Sequence, residues 1–435
     1  MRSVWSETAS LPSFAPLQGN IRTDALVVGG GIAGILCAYL LTQAGVDTVL
    51  VEAKKLCSGV TGNTTAKITA QHGLVYHKLL RRFGEEKTKQ YLLANQAALE
   101  RYRELCQTID CDFQTRDSFI YSRDDEALLE EELEALRRLG YGAQLARKLP
   151  LPFDVAGAVC FPRQAQFHPL KFLSAVAAGL PIYENTKVLE LAPGWARTDR
   201  GVIRAEKIIV ATHFPILNKH GSYFLKQYQQ RSYVLALENA PQLDGIYLDA
   251  QEGGLSLRSA GKLLLLGGCG HRTGKQSGGW SALSGLAHRY YPQAREVCRW
   301  ATQDCMTLDG VPYIGRYSKR TPDLFVATGF GKWGMTSAMA AAMVLTDLVQ
   351  DRENPFAPVF SPSRTILRPQ LALNGFEAVK NLLTPGSPRC PHLGCKLKWN
   401  EQEHSWDCPC HGSRFTTDGQ LLDNPSTGDM KKCPS

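Results

Sequence analysis

The first part of the chain has the hydrophobic pattern of a strand, a turn and a helix. Residues 25–28 form a short apolar run, a glycine-rich turn follows, and residues 32–44 continue with mainly apolar side chains over a helical length. Residues 48–52 form a second run of strand length. This order predicts a βαβ unit with parallel strands. We interpret the preceding residues 1–22 as an arm.

The rest of the main body mixes helical and strand patterns. Residues 74–140 have apolar side chains at helical spacing, with Gly140 as the expected helix stop. Between residues 150 and 310, short apolar runs such as KIIVAT, RSYVLAL and GKLLLLGG alternate with turn residues, which predicts strands. Residues 323–350 return to a strand, a glycine loop and a long helix. The pattern therefore predicts an α/β fold.

Two proline-bearing stretches divide this main body from a small C-terminal module. The first, NPFAPVFSPSRTILRPQ, is typical of a linker that wraps a domain, and the second, LLTPGSPR, precedes the module. We therefore predict a main unit at residues 1–350, a linker at 351–385 and a module at 386–435.

Composition and charge exclude several classes of protein. The chain has 435 residues, 44% hydrophobic and 21% charged, which is typical of globular proteins. It has no apolar run of membrane-spanning length, and its first residues lack the apolar core of a signal peptide, so we expect a cytoplasmic protein without a transmembrane segment. The net charge of +8 is spread along the chain, which argues against a nucleic-acid partner.

Cysteine is distributed unevenly. The chain contains 13 cysteines, and without an export signal we do not expect a general disulfide framework. Eight are scattered singly and are expected to be small buried side chains. Cys390, Cys395, Cys408 and Cys410 lie close together, and Cys433 follows them. This clustering predicts a chemical role for the C-terminal module.

The glycine turn at the start of the main body has the spacing of a dinucleotide site. Gly29, Gly31 and Gly34 satisfy GxGxxG between a buried strand and a helix, and Glu52 ends the next strand. In such a site the first glycine permits the turn, the second lets the backbone approach a pyrophosphate, and the third allows close helix–strand packing. The helix N-terminus favours phosphate, and Glu52 can accept hydrogen bonds from ribose hydroxyls.

Further motifs indicate which dinucleotide binds. A loop GFGKWGMT at 329–336 follows the strand LFVAT, DGVPYIG lies at 309–315, SGVTGN at 58–63, and a strand ends in ATH at 211–213. Together these motifs resemble the D-amino-acid-oxidase-like FAD oxidoreductases, which include glycine oxidase and sarcosine oxidase, over residues 22–350. The resemblance implies FAD-binding segments at 22–75, 150–215 and 306–350, interleaved with substrate-domain (cap) segments at 76–149 and 216–305.

The same resemblance implies which residues bind the cofactor. The expected FAD-binding residues are Gly29, Gly31, Ile32, Ala33, Gly34, Glu52, Ala53, Thr61, Thr212, Gly329, Gly331, Gly334, Met335 and Thr336. The resulting fold class is a Rossmann-like FAD-binding domain with an interleaved α+β substrate domain.

Three residues are candidate catalytic residues. Lys332, with the adjacent helix N-terminus, would stabilise the negative charge of a reduced flavin. Lys67 follows the loop that by resemblance lies along the flavin ring, although a surface lysine is an equally open alternative. Asp304 stands where amino-acid oxidases of this family carry a carboxylate-binding Arg, so it would repel a carboxylate and instead hold a cation. Arg231, Tyr233 and His271 are weaker candidates for the substrate side.

The C-terminal cluster resembles the Rieske [2Fe-2S] proteins. Residues 390–395 read CPHLGC and residues 408–413 read CPCHGS. In a Rieske centre one iron takes two thiolates and the other takes two imidazoles. The resemblance implies Cys390, His392, Cys408 and His411 as ligands, with both histidines exposed as the exit edge for electrons. It also implies a disulfide between Cys395 and Cys410, in a small all-β module.

Two alternatives concern the metal. Structural zinc also accepts Cys and His from paired loops, and six candidate ligands are present. A Rieske oxygenase would need an additional mononuclear iron, for which His72 and His77 have suggestive spacing. Thr69 stands where the upstream Asp of that site should be, so we interpret both histidines as helix or flavin-site residues.

These motifs lead to a functional hypothesis. We expect an enzyme, an FAD-dependent oxidoreductase that oxidises a small molecule, with an amine as the expected substrate. Electrons would pass singly through the [2Fe-2S] cluster to an external acceptor, although the reverse direction stays open. The alternative is a redox-sensing or electron-shuttling flavo-iron-sulfur protein without small-molecule turnover.

Overall fold

The computed structural model describes residues 3–217, 220–275 and 278–430. The described helices are α1 Val4–Thr8, α2 Ile32–Gln43, α3 Tyr76–Leu105, α4 Glu126–Arg138, α5 Pro169–Ala177, α6 Tyr223–Lys226, α7 Gly279–Tyr290, α8 Gly334–Val349, α9 Ala357–Phe360 and α10 Pro369–Leu383, with a 3-10 turn at Val60–Asn63. The strands of the main body are β1 Ile21–Val28, β2 Thr48–Val51, β3 Lys67–Ile68, β4 Gln114–Ser122, β5 Gln144–Ala146, β6 Gly157–Gln166, β7 Ile182–Tyr183, β8 Val188–Ala192, β9 Trp195–Thr198, β10 Val202–Val210, β11 Gln227–Glu238, β12 Gly245–Asp249, β13 Ser256–Ala260, β14 Leu263–Arg272, β15 Arg295–Thr307, β16 Tyr313–Ser318 and β17 Thr321–Thr328. The C-terminal module contains β18 Lys398–Asn400, β19 Ser405–Asp407, β20 Arg414–Thr416 and β21 Leu421–Asp423.

The first sheet contains the predicted βαβ unit. Its order is β16-β17-β10-β1-β2-β7, with β8 and β9 attached at β10. β17, β10, β1, β2 and β7 are parallel, and β16 is an antiparallel edge. β2 is buried along its whole length, as expected for a parallel strand covered on both faces. Helices α2 and α8 pack together beside this sheet, so the two glycine loops that precede them meet at one edge of the sheet.

The second sheet is mainly antiparallel and contributes to the same hydrophobic core as the first. Its order is β15-β11-β14-β13-β12-β4-β6-β3, with β5 paired to β6. β3 and β6 lie within segments that we predicted to bind FAD, yet they pair with each other and belong to this second sheet. The chain therefore crosses between the two layers more often than the segment boundaries imply.

The third sheet is a four-stranded antiparallel meander, β18-β19-β20-β21. Its core consists of few residues, namely Cys390, Cys395, Leu397, Cys408, Cys410 and Phe415. A core of this size gains stability from a metal centre or a disulfide. The predicted fold class is confirmed, with the two-layer α/β body and the small β module both present. Cys433 lies outside the described residues.

The predicted arm and linker are both packed against the body. In the arm, the Trp5 indole is buried and donates a hydrogen bond to the Thr64 carbonyl at 2.6 Å. In the linker, the Arg364 guanidinium pairs with the buried Asp309 carboxylate, with an Nε–Oδ2 distance of 2.7 Å. The linker also contains α10, a helix that the proline-rich pattern did not predict. Among the described residues, no helix has both the length and the apolar character to cross a membrane.

The Arg364–Asp309 pair gives a prediction for stability. Burial raises the pKa of Asp309, but Arg364 more than offsets this and holds the pKa below its ordinary value. Arg364→Ala would leave a buried carboxylate without its cation, so we expect the free energy of unfolding in urea to fall by about 3 kcal/mol. Arg352→Ala, which removes an exposed pair with Asp347, is the control and should cost less than about 1 kcal/mol. Equal losses in the two variants would contradict the prediction.

Candidate functional site

A cavity of about 1050 Å³ lies at the edge of the first sheet where the two glycine loops meet. A Cβ atom on Gly29 would lie 2.6 Å from the Ala211 carbonyl oxygen, and one on Gly34 would overlap the carbonyl oxygen of Gly29. Neither position therefore admits a side chain. Gly29 also has a φ of +114°, which favours glycine. This cradle fits the close approach of a pyrophosphate.

Side chains hold the turn in place. The Glu52 carboxylate accepts hydrogen bonds from the backbone N–H of Gly30 at 2.7 Å and of Lys54 at 2.8 Å. The Thr61 hydroxyl accepts from the Ile32 N–H at 3.0 Å at the start of α2. Glu52 and Thr61 both line the cavity, so each shapes the turn while facing the ligand space.

Most of the predicted FAD-binding residues lie around this one cavity. All fourteen except Gly34 and Thr336 line it. Gly34 instead packs against Gly29. The Thr336 hydroxyl is buried and donates to the Thr69 carbonyl at 3.0 Å. These two residues shape the walls behind the site.

The three candidate catalytic residues also line the cavity. The Lys67 ammonium donates to the hydroxyls of Thr65 at 3.1 Å and Ser256 at 3.0 Å. Burial, with the neighbouring cations Arg258 and Lys332, lowers the pKa of Lys67 to about 7. Lys67 is therefore not the exposed surface lysine that the sequence left open.

Asp304 lies at the end of β15 next to the second glycine loop. The Gly331 N–H donates to the Cys305 carbonyl at 2.9 Å, which ties that loop to the strand. The Asp304 carboxylate accepts from the Ser232 hydroxyl at 2.8 Å. Burial raises the pKa of Asp304, and the cations Lys332, Arg231 and Lys67 partly oppose the shift. Lys332 itself is exposed on the cavity wall.

The two histidines considered as iron ligands have structural partners. His72 Nδ1 lies 2.6 Å from the Tyr91 hydroxyl, and its ring stacks on Trp333 at a centroid distance of 5.0 Å. His77 Nδ1 lies 2.6 Å from the Glu132 carboxylate. Both rings therefore have hydrogen-bond partners within the protein; His77 lies in α3 and His72 precedes that helix.

The predicted cluster ligands lie in two loops of the C-terminal module. The buried thiols of Cys390 and Cys408 hydrogen-bond to each other, which lowers the pKa of Cys390 to about 7. The ring centroids of His392 and His411 are 5.1 Å apart. The buried Nδ1 of His411 has no hydrogen-bond partner among the described residues. Two thiols and two imidazoles facing one space fit a [2Fe-2S] centre.

The remaining two cysteines of the cluster are joined to each other. Cys395 and Cys410 form a disulfide that connects the two ligand loops. A disulfide sulfur is not available as a thiolate ligand, so four of the six candidate ligands remain.

The position of the histidines corrects one expectation. We expected both imidazoles to be exposed, but His411 is only 5% exposed because it faces the main body. Its ring lies edge-on to Phe224 at a centroid distance of 6.1 Å, and His392 lies near Phe214 at 6.5 Å. The histidine edge of the cluster site is therefore docked against the domain that contains the cavity.

An ion-pair network fixes this docking. The Arg231 guanidinium, from β11, makes two hydrogen bonds to the Glu403 carboxylate of the module, one with an Nε–Oε1 distance of 3.0 Å. Arg414 pairs with Glu403 at 2.8 Å, Asp407 at 2.9 Å and Asp423 at 3.1 Å. Arg231 was a candidate for the substrate side, but the module occupies it instead.

Comparisons with known proteins decide the family. Residues 24–348 match the family model described as FAD dependent oxidoreductase. The chain belongs to this FAD dependent oxidoreductase family. Residues 377–434 match the Rieske [2Fe-2S] domain, which sets aside the zinc alternative. This oxidoreductase therefore binds FAD in the main body and a [2Fe-2S] cluster in the module.

Relatives share either the whole chain or the flavoprotein part. A Bacillus subtilis (strain 168) protein described as a Rieske 2Fe-2S iron-sulfur protein, YhfW, is 35% identical over 496 aligned residues, covering 99% of this chain and 97% of the relative. The γ-glutamylputrescine oxidoreductase of Escherichia coli (strain K12) is 26% identical over 223 residues, 47% of this chain and 52% of the relative. The crystal structure of glycine oxidase from Geobacillus kaustophilus has a TM-score of 0.67 and 22% identity, covering 79% of this chain and 99% of that one.

Sequence reasoning missed the residues that join the two domains of the oxidoreductase. The Gln229 amide donates to the carbonyls of His411 at 3.0 Å and Asn424 at 2.8 Å. The Gln303 amide donates to the Gly412 carbonyl at 2.8 Å. Asn424 in turn donates to the Thr212 carbonyl at 2.6 Å. The sequence contained one signal for such contacts. The run QYQQ places three glutamines in a strand, and an amide side chain that is buried needs a hydrogen-bond partner.

The glycine cradle gives a prediction for cofactor content. Gly34→Ala would drive its methyl group into the Gly29 carbonyl, so we expect the purified protein to lose most of its flavin absorbance. Gly285→Ala, on α7 with open space around it, is the matched control and should keep the flavin. Full flavin content in Gly34→Ala would show that the turn can move without loss of the site.

Proposed function

We propose that this oxidoreductase oxidises a small amine at FAD and passes the electrons one at a time through the [2Fe-2S] cluster to an external acceptor. When bound, FAD supplies hydride acceptance and one-electron release, and the cluster supplies one-electron transfer. The chain's own residues place the two groups, bind the substrate and move its proton.

The contacts between the main body and the Rieske module are the main support for the proposed electron route. We call this contact region, which includes Gln229, Gln303 and Asn424, the seam. Gln303 lines the FAD cavity and also donates to the carbonyl of Gly412, the residue that follows the predicted ligand His411. One amide side chain thus spans the distance between the cavity wall and the cluster loop. This supports transfer within one chain, with an acceptor that approaches the module from outside.

Charge around the cavity supports an amine as the substrate. Two arginines line the cavity within the described residues, Arg231 and Arg414, and both are paired with carboxylates of the Rieske module. Neither is available to bind a substrate carboxylate. Asp304 and Glu252 also line the cavity, and among described residues neither has a salt bridge. Carboxylates without a salt bridge, beside arginines that are already paired, favour a cationic ligand over a carboxylate. The γ-glutamylputrescine oxidoreductase relative agrees with this class.

Lys67 has the properties of a base for such a substrate. An amine must lose its ammonium proton before hydride transfer from the adjacent carbon, so a proton acceptor is needed beside it. Because the pKa of Lys67 is lowered to about 7, the neutral amine form is well populated near neutral pH. Its neighbours Thr65 and Ser256 orient the nitrogen on the cavity wall.

The first test combines spectroscopy with a substrate panel. Anaerobically purified protein should show a flavin spectrum, iron rather than zinc, and an EPR signal of low average g after dithionite reduction. A panel of amines, amino acids and hydroxy acids, added without oxygen, should bleach the flavin with amines only, and the EPR signal should then appear without dithionite. If no compound of the panel bleaches the flavin, the electron-shuttling alternative is favoured. If the flavin is bleached but the cluster is not reduced, the proposed electron route is contradicted.

Asp304 provides a specific prediction for that panel. Asp304→Asn keeps the hydrogen bond with Ser232 but removes the negative charge, so we expect the Kd for an active amine to rise about tenfold, with a smaller effect on the limiting rate. Asp249→Asn, which changes another carboxylate of the cavity wall that pairs with Arg123, is the control. Equal affinity in the Asp304 variant and the native protein would contradict a role in binding the ammonium group.

The pH dependence of flavin reduction tests Lys67. Lys67 is charged below its pKa and neutral above it, so we expect the rate of flavin reduction to rise with pH through about 7. Lys67→Gln should remove this inflection while leaving any titration of the free substrate at higher pH. Stopped-flow flavin bleaching between about pH 6 and 9 measures both. An unchanged inflection in the variant would assign it to another group.

A further inference from the structure

Helix α10 presents its apolar side chains outward. We call the residues Leu373, Phe376, Val379, Leu382 and Leu383 the α10 face, and each is between 49% and 75% exposed. Four of them, at 373, 376, 379 and 383, recur at helical spacing and so share one side. Scattered exposed apolar residues are ordinary, but a contiguous patch of this kind marks an interaction site.

Polar contacts fix the helix in this orientation. The buried Asn374 accepts a hydrogen bond from the Arg272 guanidinium at 2.9 Å, and Glu377 pairs with Lys275 at 2.6 Å. The buried Asn381 carbonyl accepts from the Lys396 N–H at 2.9 Å. The helix therefore turns its polar side to the protein and its apolar side to solvent, the reverse of an ordinary surface helix.

The α10 face continues into the cluster loop. Leu393, between the predicted ligand His392 and the disulfide Cys395, is 42% exposed. A Cβ on its neighbour Gly394 would lie 3.7 Å from Leu382. The Arg389 guanidinium donates to the carbonyls of Leu382 at 3.1 Å and Gly394 at 2.7 Å. The end of the helix and the tip of the loop are thus one connected surface.

The charge around this surface is strongly positive. Residues 368–398 contain five Lys or Arg and one acidic residue, Glu377, which is already paired with Lys275. Lys380 of α10, Arg389, which donates to the Leu382 carbonyl, and Lys398 at the start of β18 are all exposed. Apolar side chains flanked by cations are the pattern of helices that lie in the surface of an anionic bilayer.

We propose that the α10 face and Leu393 dock on an anionic lipid bilayer, with Lys380, Arg389 and Lys398 at the headgroups. A second copy of the chain would bring the same cations against one another, so the charge disfavours self-association through this face. Docking would place the 390–395 loop of the cluster site at the membrane surface. The proposal does not depend on which substrate reduces the flavin.

Vesicle flotation tests the proposal with the full-length holoprotein. Vesicles of phosphatidylcholine with about one-third phosphatidylglycerol should carry the protein, and neutral phosphatidylcholine vesicles should carry much less. Phe376→Ser/Val379→Ser should weaken binding by about tenfold or more, because two large apolar side chains no longer enter the bilayer. Leu189→Ser/Val297→Ser, two comparably exposed apolar residues elsewhere, is the matched control and should bind like the native protein.

Lys380→Glu/Lys398→Glu tests the charge separately and should lower binding to anionic vesicles without affecting flavin absorbance. Retained flavin and cluster spectra verify folding in every variant. The proposal is overturned if the native protein does not float with anionic vesicles, or if the Phe376/Val379 variant floats as well as the control. It is also overturned if sedimentation shows a dimer that this variant abolishes, since the face would then bind a second copy.

Discussion

The buried ion-pair network between the two domains is the interaction on which the rest of the structure depends. Arg231 of the main body and Arg414 of the module share the Glu403 carboxylate, and all three side chains are less than a tenth exposed. Burial raises the pKa of Glu403, but the two guanidinium groups more than offset it and hold it below its ordinary value. Removing charges from water is costly, so such a network persists only where every member is satisfied.

Two properties of the cavity follow from this network. The first is that Arg231, which lines the cavity, is paired with Glu403 of the module, which leaves Asp304 as the charged group of the adjacent strand. The second is that the module is held with its histidine edge inward, so His411 contacts the body rather than solvent. The proposed amine substrate and the proposed electron route therefore depend on one set of charges.

The part of the site that sequence could predict is the part encoded by local spacing. The glycine turn, the second glycine loop and the two ligand loops each depend on residues a few positions apart, and the fold class follows from the same patterns. Pairings between distant residues could not be predicted, as with Arg231 and Glu403, which are separated by 172 positions. The same holds for β3 and β6, which join the second sheet, and for α10, whose outward apolar face reverses the ordinary helical pattern. Its orientation depends on contacts of Asn374 and Glu377 with Arg272 and Lys275 in the main body.

Uncharged amides make several of the contacts between the main body and the cluster loop, and the guanidinium of Arg272 makes others, to the carbonyls of Pro409 and Cys410 at 3.2 Å each. Gln229 and Gln303 donate to carbonyls of the cluster loop, and Gln303 also donates to the side-chain Oε1 of Gln229 at 2.6 Å. These amides connect the cavity wall to the cluster loop and carry no charge themselves. A charged residue at either position would favour one redox state of the neighbouring groups over the other. The charges at the contact between the domains therefore lie in the Arg231–Glu403–Arg414 network and at Arg272, while the Gln229 and Gln303 contacts between the cavity and the cluster loop are neutral.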